Sequence, residues 1–305
     1  MNESIISIKD FTKRYGDFTA VESISFEVQR GEIFGLLGPN GAGKTTTLEC
    51  LEGIRQPDGG SMSILDVDPS SSPRRLAGVL GVQLQTSGLP AEMTALEAMK
   101  FFCAYHGVAP REDLLERLGM SAKRQTQFHK LSTGQQRRLA LALAIAHQPQ
   151  VLVLDEPTAG LDVASRAELH SLMQELKEQG TTILLATHDM AEAEKMTDRV
   201  SILLKGKIVT TGSPRELTAT GSGFTKISVR SENSVLHGNE TAFPAVNQKA
   251  VKEDYAIFFS TDPGPTVTAL LEHLNAEHDR LIDLRVERPT LEERFLEITT
   301  EGGTP

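Results

Sequence analysis

Short apolar runs alternate with amphipathic segments along the first two thirds of the chain. The runs IFGLL at 33–37, VLVLD at 151–155 and TTILLAT at 181–187 are almost wholly apolar or β-branched, which predicts buried strands. Between the last two runs, residues 164–179 place leucine and methionine on one stripe, and this spacing predicts an amphipathic helix. Strands that alternate with helices predict an α/β fold with a largely parallel sheet.

A second, smaller domain is predicted at the C-terminal end. Around 219–223 the sequence ATGSG is typical of a linker. Beyond it, three strand-like segments and two helix-like segments predict a small α+β domain. We therefore divide the chain into a domain at 1–220, which contains a helical region at about 92–119, and an accessory domain at 221–305.

The composition is that of an acidic chain with a substantial core. Of its 305 residues 39 % are hydrophobic, and the formal net charge is -10 with a pI of about 5.4. We expect no nucleic-acid partner, because a basic face is needed to neutralise phosphates. Cys50 and Cys103 lie in apolar, helix-like segments, which predicts buried thiols rather than a disulfide.

No membrane-spanning segment is predicted. The longest apolar run, LALALAIA at 139–146, is far shorter than the roughly 20 residues that a membrane helix needs. The N-terminus lacks the basic-then-apolar pattern of a signal peptide. We therefore expect a cytoplasmic protein that reaches a membrane only through a partner.

A phosphate-binding loop follows the first of these buried strands. GPNGAGKT fits the pattern G-x-x-x-x-G-K-[ST] in full, between a predicted strand and a predicted helix. Its glycines let several backbone N–H groups point inward, and the helix adds the positive end of its dipole. Lys44 is expected to reach the β- and γ-phosphates, and Thr45 to offer its hydroxyl to Mg²⁺. An ordinary glycine-rich turn is the alternative, but the strand–loop–helix context favours phosphate binding. The predicted binding residues are Gly38, Pro39, Asn40, Gly41, Ala42, Gly43, Lys44, Thr45 and Thr46.

Two carboxylates and a histidine follow the other buried strands. Asp155 ends VLVLD, where it can hold the Mg²⁺ shell. Glu156 comes next and is placed to orient or deprotonate a water that attacks the γ-phosphate; the alternative is a helix-start acid beside Pro157. His188 follows TTILLAT and so emerges on the same edge of the sheet. Glu156, His188 and Lys44 form the predicted catalytic set.

The stretch KLSTGQQRRLALA, at 130–142, begins a helix in an unusual way. Ser132 can cap the helix while Gln135 reaches back, which is a capping box. This does not explain Gly134, because glycine is a poor helix former. A helix N-terminus with few side chains, flanked by a hydroxyl and an amide, is suited to a phosphate.

LSTGQQRR resembles the LSGGQ signature of ABC ATPases, and it lies upstream of VLVLDE as the signature lies upstream of the Walker B strand in that family. There, the signature of one subunit closes over the γ-phosphate held by the phosphate loop of another. The resemblance implies that ATP with Mg²⁺ is the ligand and that a second copy of the chain is a partner, in a head-to-tail dimer. It implies that Ser132, Gly134 and Gln135 face the ATP of that copy. Thr133 stands where the signature usually has glycine, and we expect hydrolysis to be retained.

Further motifs extend the resemblance. Tyr15 matches the aromatic residue that stacks on adenine, and Asp162 in AGLD matches the aspartate at the dimer seam. His188 matches the switch histidine that contacts the γ-phosphate. Gln85 matches the glutamine that touches the metal and links to the membrane partner, with Gln83 as the alternative register. The metal ligands implied are Thr45, Gln85 and Asp155.

The C-terminal segment PTLEERFLEIT, at 289–299, resembles the closing motif of the drug- and antibiotic-exporting branch, of the daunorubicin-resistance and sodium-efflux type. The resemblance implies an ABC-type P-loop NTPase core with a helical subdomain. It also implies that the protein drives a separately encoded permease from the cytoplasmic face of the membrane. An importer ATPase and a soluble ABC ATPase of translation or DNA maintenance are the alternatives. The soluble ATPase lacks support from the sequence. Members that act in translation usually carry a second cassette and a basic linker, those that act on DNA carry a long coiled coil, and this sequence shows neither.

Overall fold

The structure is a computed structural model that describes residues 3–83, 88–219, 224–238 and 241–301. The chain divides into two compact units, Met1–Ser213 and Pro214–Pro305. The strands of the first unit are β1 (Ser4–Tyr15), β2 (Phe18–Gln29), β3 (Ile33–Leu37), β4 (Gly59–Ile64), β5 (Leu80–Gln83), β6 (Val151–Asp155), β7 (Thr182–Thr187), β8 (Arg199–Leu204) and β9 (Lys207–Gly212). Its helices are α1 (Lys44–Leu51), α2 (Pro73–Ala77), α3 (Ala95–Tyr105), α4 (Glu112–Arg117), α5 (Thr133–Ile145), α6 (Val163–Glu178) and α7 (Met190–Met196), with short 3₁₀ turns at Ser121–Lys123 and Phe128–Lys130.

A six-stranded sheet forms the centre of this unit, in the order β5-β6-β7-β3-β8-β9. The first five strands of that order are parallel and β9 is antiparallel. Every residue of β3, β6 and β7 is buried, which confirms the three strands expected from their apolar runs. Because the strands are parallel, the carboxyl ends of β3, β6 and β7 lie at one edge of the sheet. The residues that follow these strands are therefore neighbours in space.

Each face of the central sheet carries its own apolar core. One core contains α1 and the antiparallel sheet β2-β1-β4, with Phe26 stacked on Phe34 at 5.2 Å between ring centroids. The other core contains α3, α4, α5 and α6, and the helical region expected at 92–119 is divided between α3 and α4. Cys50 and Cys103 are buried and free, as expected. Among the described residues, no helix combines the length and the apolar character that crossing a membrane requires.

The second unit is an antiparallel sheet with a helix packed on it. It contains α8 (Pro214–Ala219), β10 (Thr225–Ser231), β11 (Val246–Lys252), β12 (Tyr255–Ser260), α9 (Pro263–Ala276), β13 (Leu281–Glu287) and α10 (Leu291–Glu301). The strand order is β11-β12-β10-β13, and apolar residues of β10, β12 and α9 form its core. The α+β character agrees with the sequence, whereas β11 was not expected. The contacts divide the chain at Ser213, so α8 belongs to this unit, and the boundary at 220 stays a prediction.

Candidate functional site

The phosphate loop connects β3 to α1 and is shaped by close contact with neighbouring backbone. Gly43 has φ of +107°, and a Cβ built there would lie 2.8 Å from the carbonyl oxygen of Ala20. A Cβ at Gly38 would lie 2.2 Å from the carbonyl oxygen of Leu203. A side chain at either position would therefore displace β2 or the end of β8. The packing of the loop against these two strands therefore requires glycine at both positions.

Lys44 places its ammonium group inside this loop. Its Nζ donates hydrogen bonds to the carbonyls of Gly38 at 2.7 Å and Pro39 at 3.3 Å, and it lies 3.8 Å from Oε1 of Glu156. The side chain is 5 % exposed. Burial lowers the pKa of Lys44, while the carboxylates of Glu156 and Asp155 oppose that shift. The ammonium is thus directed at the space where phosphate oxygens would replace the loop carbonyls.

Thr45 and Asp155 form the part of the site that suits a divalent cation. The hydroxyl of Thr45 donates to Oδ2 of Asp155 at 2.9 Å. Oδ1 of Asp155 is buried and has no hydrogen-bond partner among the described residues, and burial raises the pKa of this carboxyl group. Among the residues that the structure describes, no cluster of three or more His, Cys, Asp or Glu side chains could hold a metal ion. One carboxylate with an adjacent hydroxyl fits Mg²⁺, which is commonly bound by one or two carboxylates together with substrate phosphates.

Glu156 lies between Lys44 and His188. Its Oε1 is 2.9 Å from Nδ1 of His188, and the residue is 8 % exposed. Its backbone N–H donates to the carbonyl of Ala186 in β7 at 2.9 Å, and its φ of +48° is left-handed. Few residues other than glycine adopt this conformation without cost, because Cβ comes close to the carbonyl oxygen. The carboxylate therefore stands at the sheet edge on a strained turn, next to a cation and an imidazole.

Tyr15 and the phosphate loop line one cavity of about 340 Å³. Tyr15 is 39 % exposed, and the cations of Lys13 and Arg55 lie 5.7 and 5.4 Å from its ring centroid. Phe18 lines the same cavity and is 65 % exposed, and no motif in the sequence pointed to it. The other lining residues are Ala20, Asn40, Gly41, Gly43, Lys44, Thr45, Thr46 and Glu156. The arrangement combines an aromatic face with a phosphate cradle, which is the shape that a nucleotide needs.

The helix start at Ser132 is the capping box that its sequence predicts. Oγ of Ser132 accepts from the N–H of Gln135 at 3.3 Å, and Oε1 of Gln135 accepts from the N–H of Ser132 at 3.0 Å. Gly134 has a packing role that the sequence did not reveal, because a Cβ there would lie 3.3 Å from Cδ2 of Leu161. Asp162 caps α6 and accepts from N–H and Oγ of Ser165, and these bonds lower its pKa.

The predicted residues thus form two groups. Lys44, Thr45, Asp155, Glu156 and His188 are brought together at the sheet edge by their hydrogen bonds and ion pairs. The residues predicted to face a second copy do not line the cavity that contains the phosphate loop; these are Ser132, Gly134, Gln135 and Asp162. Gln85 lies outside the described residues, so its position stays a prediction. Gln83 is 2 % exposed at the end of β5, and its Oε1 has no partner in the described part of the chain.

A second cavity, of about 470 Å³, lies between the sheet and the helices of the first unit. Its walls are mainly apolar and include Leu76, Leu89 and Phe102, together with four titratable side chains. These are Glu52, Tyr105, His106 and His147. The two imidazole rings are stacked, with centroids 3.8 Å apart.

The chain is similar to known ATP-binding proteins in both sequence and structure. A family profile described as ABC transporter matches residues 21–159. The chain is 36 % identical to the Nod factor export ATP-binding protein I of Burkholderia thailandensis, over 98 % of both chains. It is 30 % identical to the linearmycin resistance ATP-binding protein LnrL of Bacillus subtilis, over 97 % of this chain and 98 % of that protein. Among solved structures, an ATP-binding subunit of an ABC transporter matches with a TM-score of 0.66 at 28 % identity, covering 70 % of this chain and 92 % of that one.

Proposed function

Since the chain belongs to the family of ABC transporter ATP-binding proteins, the ATP-hydrolysing subunits of such transporters, we propose that it powers export through a separately encoded membrane permease. The observation that carries the proposal is Glu156, whose Oε1 lies 3.8 Å from the ammonium of Lys44 and 2.9 Å from the imidazole of His188. These distances support Glu156 as a base that acts beside Lys44, which neutralises phosphate charge, and beside the imidazole of His188. The names of the two relatives refer to export and to resistance, which supports an exporter over an importer.

ATP binds with its triphosphate in the loop between Gly38 and Thr46 and its adenine against Tyr15. The cavity shared by Tyr15 and the loop supports this orientation. Lys44 exchanges the carbonyls of Gly38 and Pro39 for phosphate oxygens, which are stronger partners because the hydrogen bond is then charge-assisted on both sides. Thr46 adds a further donor at the start of α1.

Thr45 and Asp155 would hold Mg²⁺, with Gln85 as the third expected ligand. The buried Oδ1 of Asp155, which lacks a partner among the described residues, supports the assignment. When bound, the ion neutralises charge on the phosphates. Glu156 orients the attacking water and accepts its proton, and His188 donates to the γ-phosphate and keeps Glu156 in place through their mutual contact.

A second copy of the chain completes each site. Ser132, Gly134 and Gln135 lie outside the cavity of their own copy, which supports a role toward the ATP of another. In the capping box the Ser132 oxygen accepts a hydrogen bond, so its proton is available for a phosphate oxygen. Asp162 lies at the seam of this head-to-tail dimer.

The permease contacts the helical region, and this places the chain at the cytoplasmic face of the membrane. Phe101 and Tyr105 of α3 are 60 % and 67 % exposed, and Phe102 of the same helix lines the second cavity. Exposed aromatic side chains next to an apolar cavity support a protein interface there. Closing and opening of the dimer reaches the permease through α3.

The test is Glu156→Gln in the full-length chain. We expect turnover to fall at least 100-fold while ATP is still bound, and ATP should then drive a monomer into a stable dimer, measured by analytical ultracentrifugation. Lys44→Ala is the matched control, because it should lose most of the ATP binding and, with it, the ATP-driven dimer. Near-normal hydrolysis by Glu156→Gln would remove Glu156 from the proposed role. A Glu156→Gln protein that binds ATP and stays monomeric at high concentration, alone and with its permease, would refute the shared site. Co-purification of a permease from membranes tests the transport assignment separately.

A further inference from the structure

The backbone of Glu156 is held at both ends by other parts of the chain. Its N–H is bound to Ala186 in β7, and its carbonyl accepts a hydrogen bond from the N–H of Ala159 at 3.3 Å. The same carbonyl also accepts a hydrogen bond from Nη1 of Arg137. A left-handed glutamate persists only where its surroundings determine it strongly. Arg137 is the side chain that supplies part of that restraint.

Arg137 belongs to α5, the helix whose N-terminus is the capping box. It lies five residues after Ser132 and two after Gln135, within the first two turns of the helix. The side chain is half-buried, and its hydrogen bond reaches a carbonyl 19 residues further along the chain. Displacement of the first turns of α5 therefore reaches the carbonyl of Glu156 through the guanidinium group of Arg137.

We infer that Arg137 is a positioning residue that keeps Glu156 in its active orientation and makes that orientation depend on the position of α5. The inference rests on the proposed dimer. There, the head of α5 faces the ATP bound by the second copy, while Glu156 of the same chain acts on its own ATP. The link from Arg137 to Glu156 thus connects the two ATP sites within one polypeptide, so that occupation of one site sets the carboxylate of the other.

Arg138 provides a matched control for this role. It is the next residue of the same helix, it is also half-buried, and its Nη1 donates to a backbone carbonyl, that of Leu118, at 3.3 Å. The two arginines therefore make the same kind of contact from neighbouring positions, but only Arg137 reaches Glu156. Loss of either contact removes one guanidinium–carbonyl hydrogen bond, so the difference between the variants isolates the effect on the catalytic carboxylate.

The first experiment compares Arg137→Ala, Arg137→Lys and Arg138→Ala in the full-length chain. We expect Arg137→Ala to lower turnover at saturating ATP at least 10-fold while the dissociation constant for ATP changes less than twofold. Arg137→Lys should recover part of the turnover, because an ammonium can donate to the same carbonyl, and Arg138→Ala should stay within twofold of the parent. ATP-driven dimerisation, measured in the Glu156→Gln background, should be unchanged by Arg137→Ala.

Three results would overturn the inference. They are a turnover of Arg137→Ala within twofold of the parent, a loss of turnover no larger than that of Arg138→Ala, and a loss that is matched by weaker ATP binding or weaker dimerisation. A parent protein that neither hydrolyses ATP nor dimerises with it would instead refute the proposed function, before Arg137 is altered.

The second experiment tests the link between sites in mixed dimers. The two copies are covalently linked, and the first is either intact or Arg137→Ala. The other copy carries Lys44→Ala, which leaves its own loop largely empty at an ATP concentration that fills the intact loop, or Glu156→Gln, which keeps ATP bound there. With an intact first copy, we expect turnover to be at least threefold lower beside Lys44→Ala than beside Glu156→Gln. With Arg137→Ala in the first copy, that ratio should fall to about one. An unchanged ratio would show that occupation acts by another route and would refute the role of Arg137.

Discussion

Replacing Glu52 with glutamine removes a buried carboxyl group at the C-terminal end of α1. Both of its oxygens are buried without a hydrogen-bond partner in the described part of the chain. Burial, with smaller contributions from the charges of Asp155 and Glu49, raises the pKa of Glu52 from 4.5 to about 8. The folded protein therefore keeps the proton over a range of pH in which the unfolded chain has lost it.

The sign and size of the effect follow from this difference. Between pH 4.5 and 8 the unfolded chain releases a proton that the folded chain retains, so the free energy of unfolding falls as pH rises. Each unit of pKa difference corresponds to about 1.4 kcal/mol, so Glu52 lowers stability by up to about 5 kcal/mol above pH 8. The variant Glu52→Gln lacks this term. We expect its stability relative to the parent to increase by about 4 kcal/mol from pH 5 to pH 8.

The assay is denaturant unfolding of both proteins at pH 5, 6, 7 and 8 in matched buffers. Glu97→Gln is the control of opposite sign, because hydrogen bonds from Thr94 lower the pKa of Glu97. The stabilisation from Glu97 is present above the unfolded pKa of 4.5 and lost as pH falls through the folded pKa, so Glu97→Gln should be destabilising to a similar extent at all four pH values. A stability difference between Glu52→Gln and the parent that does not change with pH would refute a protonated Glu52 in the folded chain.

Three further predictions concern the loop, the stacked histidines and the sheet. Lys44→Ala should weaken ATP binding about 10- to 100-fold in a fluorescent-nucleotide titration, because charged hydrogen bonds contribute about 1.5 to 3 kcal/mol; unchanged binding would refute the phosphate-loop assignment. Burial lowers the pKa of His147 to about 4, so the free energy of unfolding should fall as pH falls from 6.5 toward 4. Thermal unfolding should therefore show a smaller loss of stability between pH 7 and 5 for His147→Gln than for the parent. Equal losses in the two proteins would contradict this. Gly81→Ala would place a Cβ 2.2 Å from the carbonyl oxygen of Ala144, so it should destabilise by about 1 to 3 kcal/mol or more. Gly78→Ala, where the nearest atom is 3.5 Å away, is its control, and equal melting temperatures would contradict the clash.

The elements that the sequence predicts best are the strands that consist almost entirely of apolar residues. The strands β3, β6 and β7 are buried on both faces, so their apolar runs have no other explanation in a parallel sheet. The strand β11, with the sequence VNQKAVK, has no buried residue and is defined by its pairing with β12. The partner β12 is the next strand along the chain, but backbone pairing of polar, exposed residues leaves no alternation of apolar side chains, and the sequence alone therefore did not indicate β11.

In the candidate site too, some residues could be predicted from the sequence and others could not. Lys44, Asp155 and Glu156 follow from motifs in which adjacent residues and strand ends fix the geometry. Arg137 and Phe18 were missed, because their roles depend on where the chain returns after long connections. The guanidinium of Arg137 is useful only once β6 and α5 have packed together, and Phe18 only once β2 passes the phosphate loop.

At position 156, the residue that would best stabilise the backbone differs from the residue that the proposed chemistry requires. With φ of +48°, a glycine there would relieve the backbone and remove the base at the same time. Directed evolution that selects for heat resistance alone should therefore accumulate glycine at this position and yield robust, inert proteins. Any library built on this scaffold needs residue 156 held constant, with gains in robustness taken from sites far from the sheet edge.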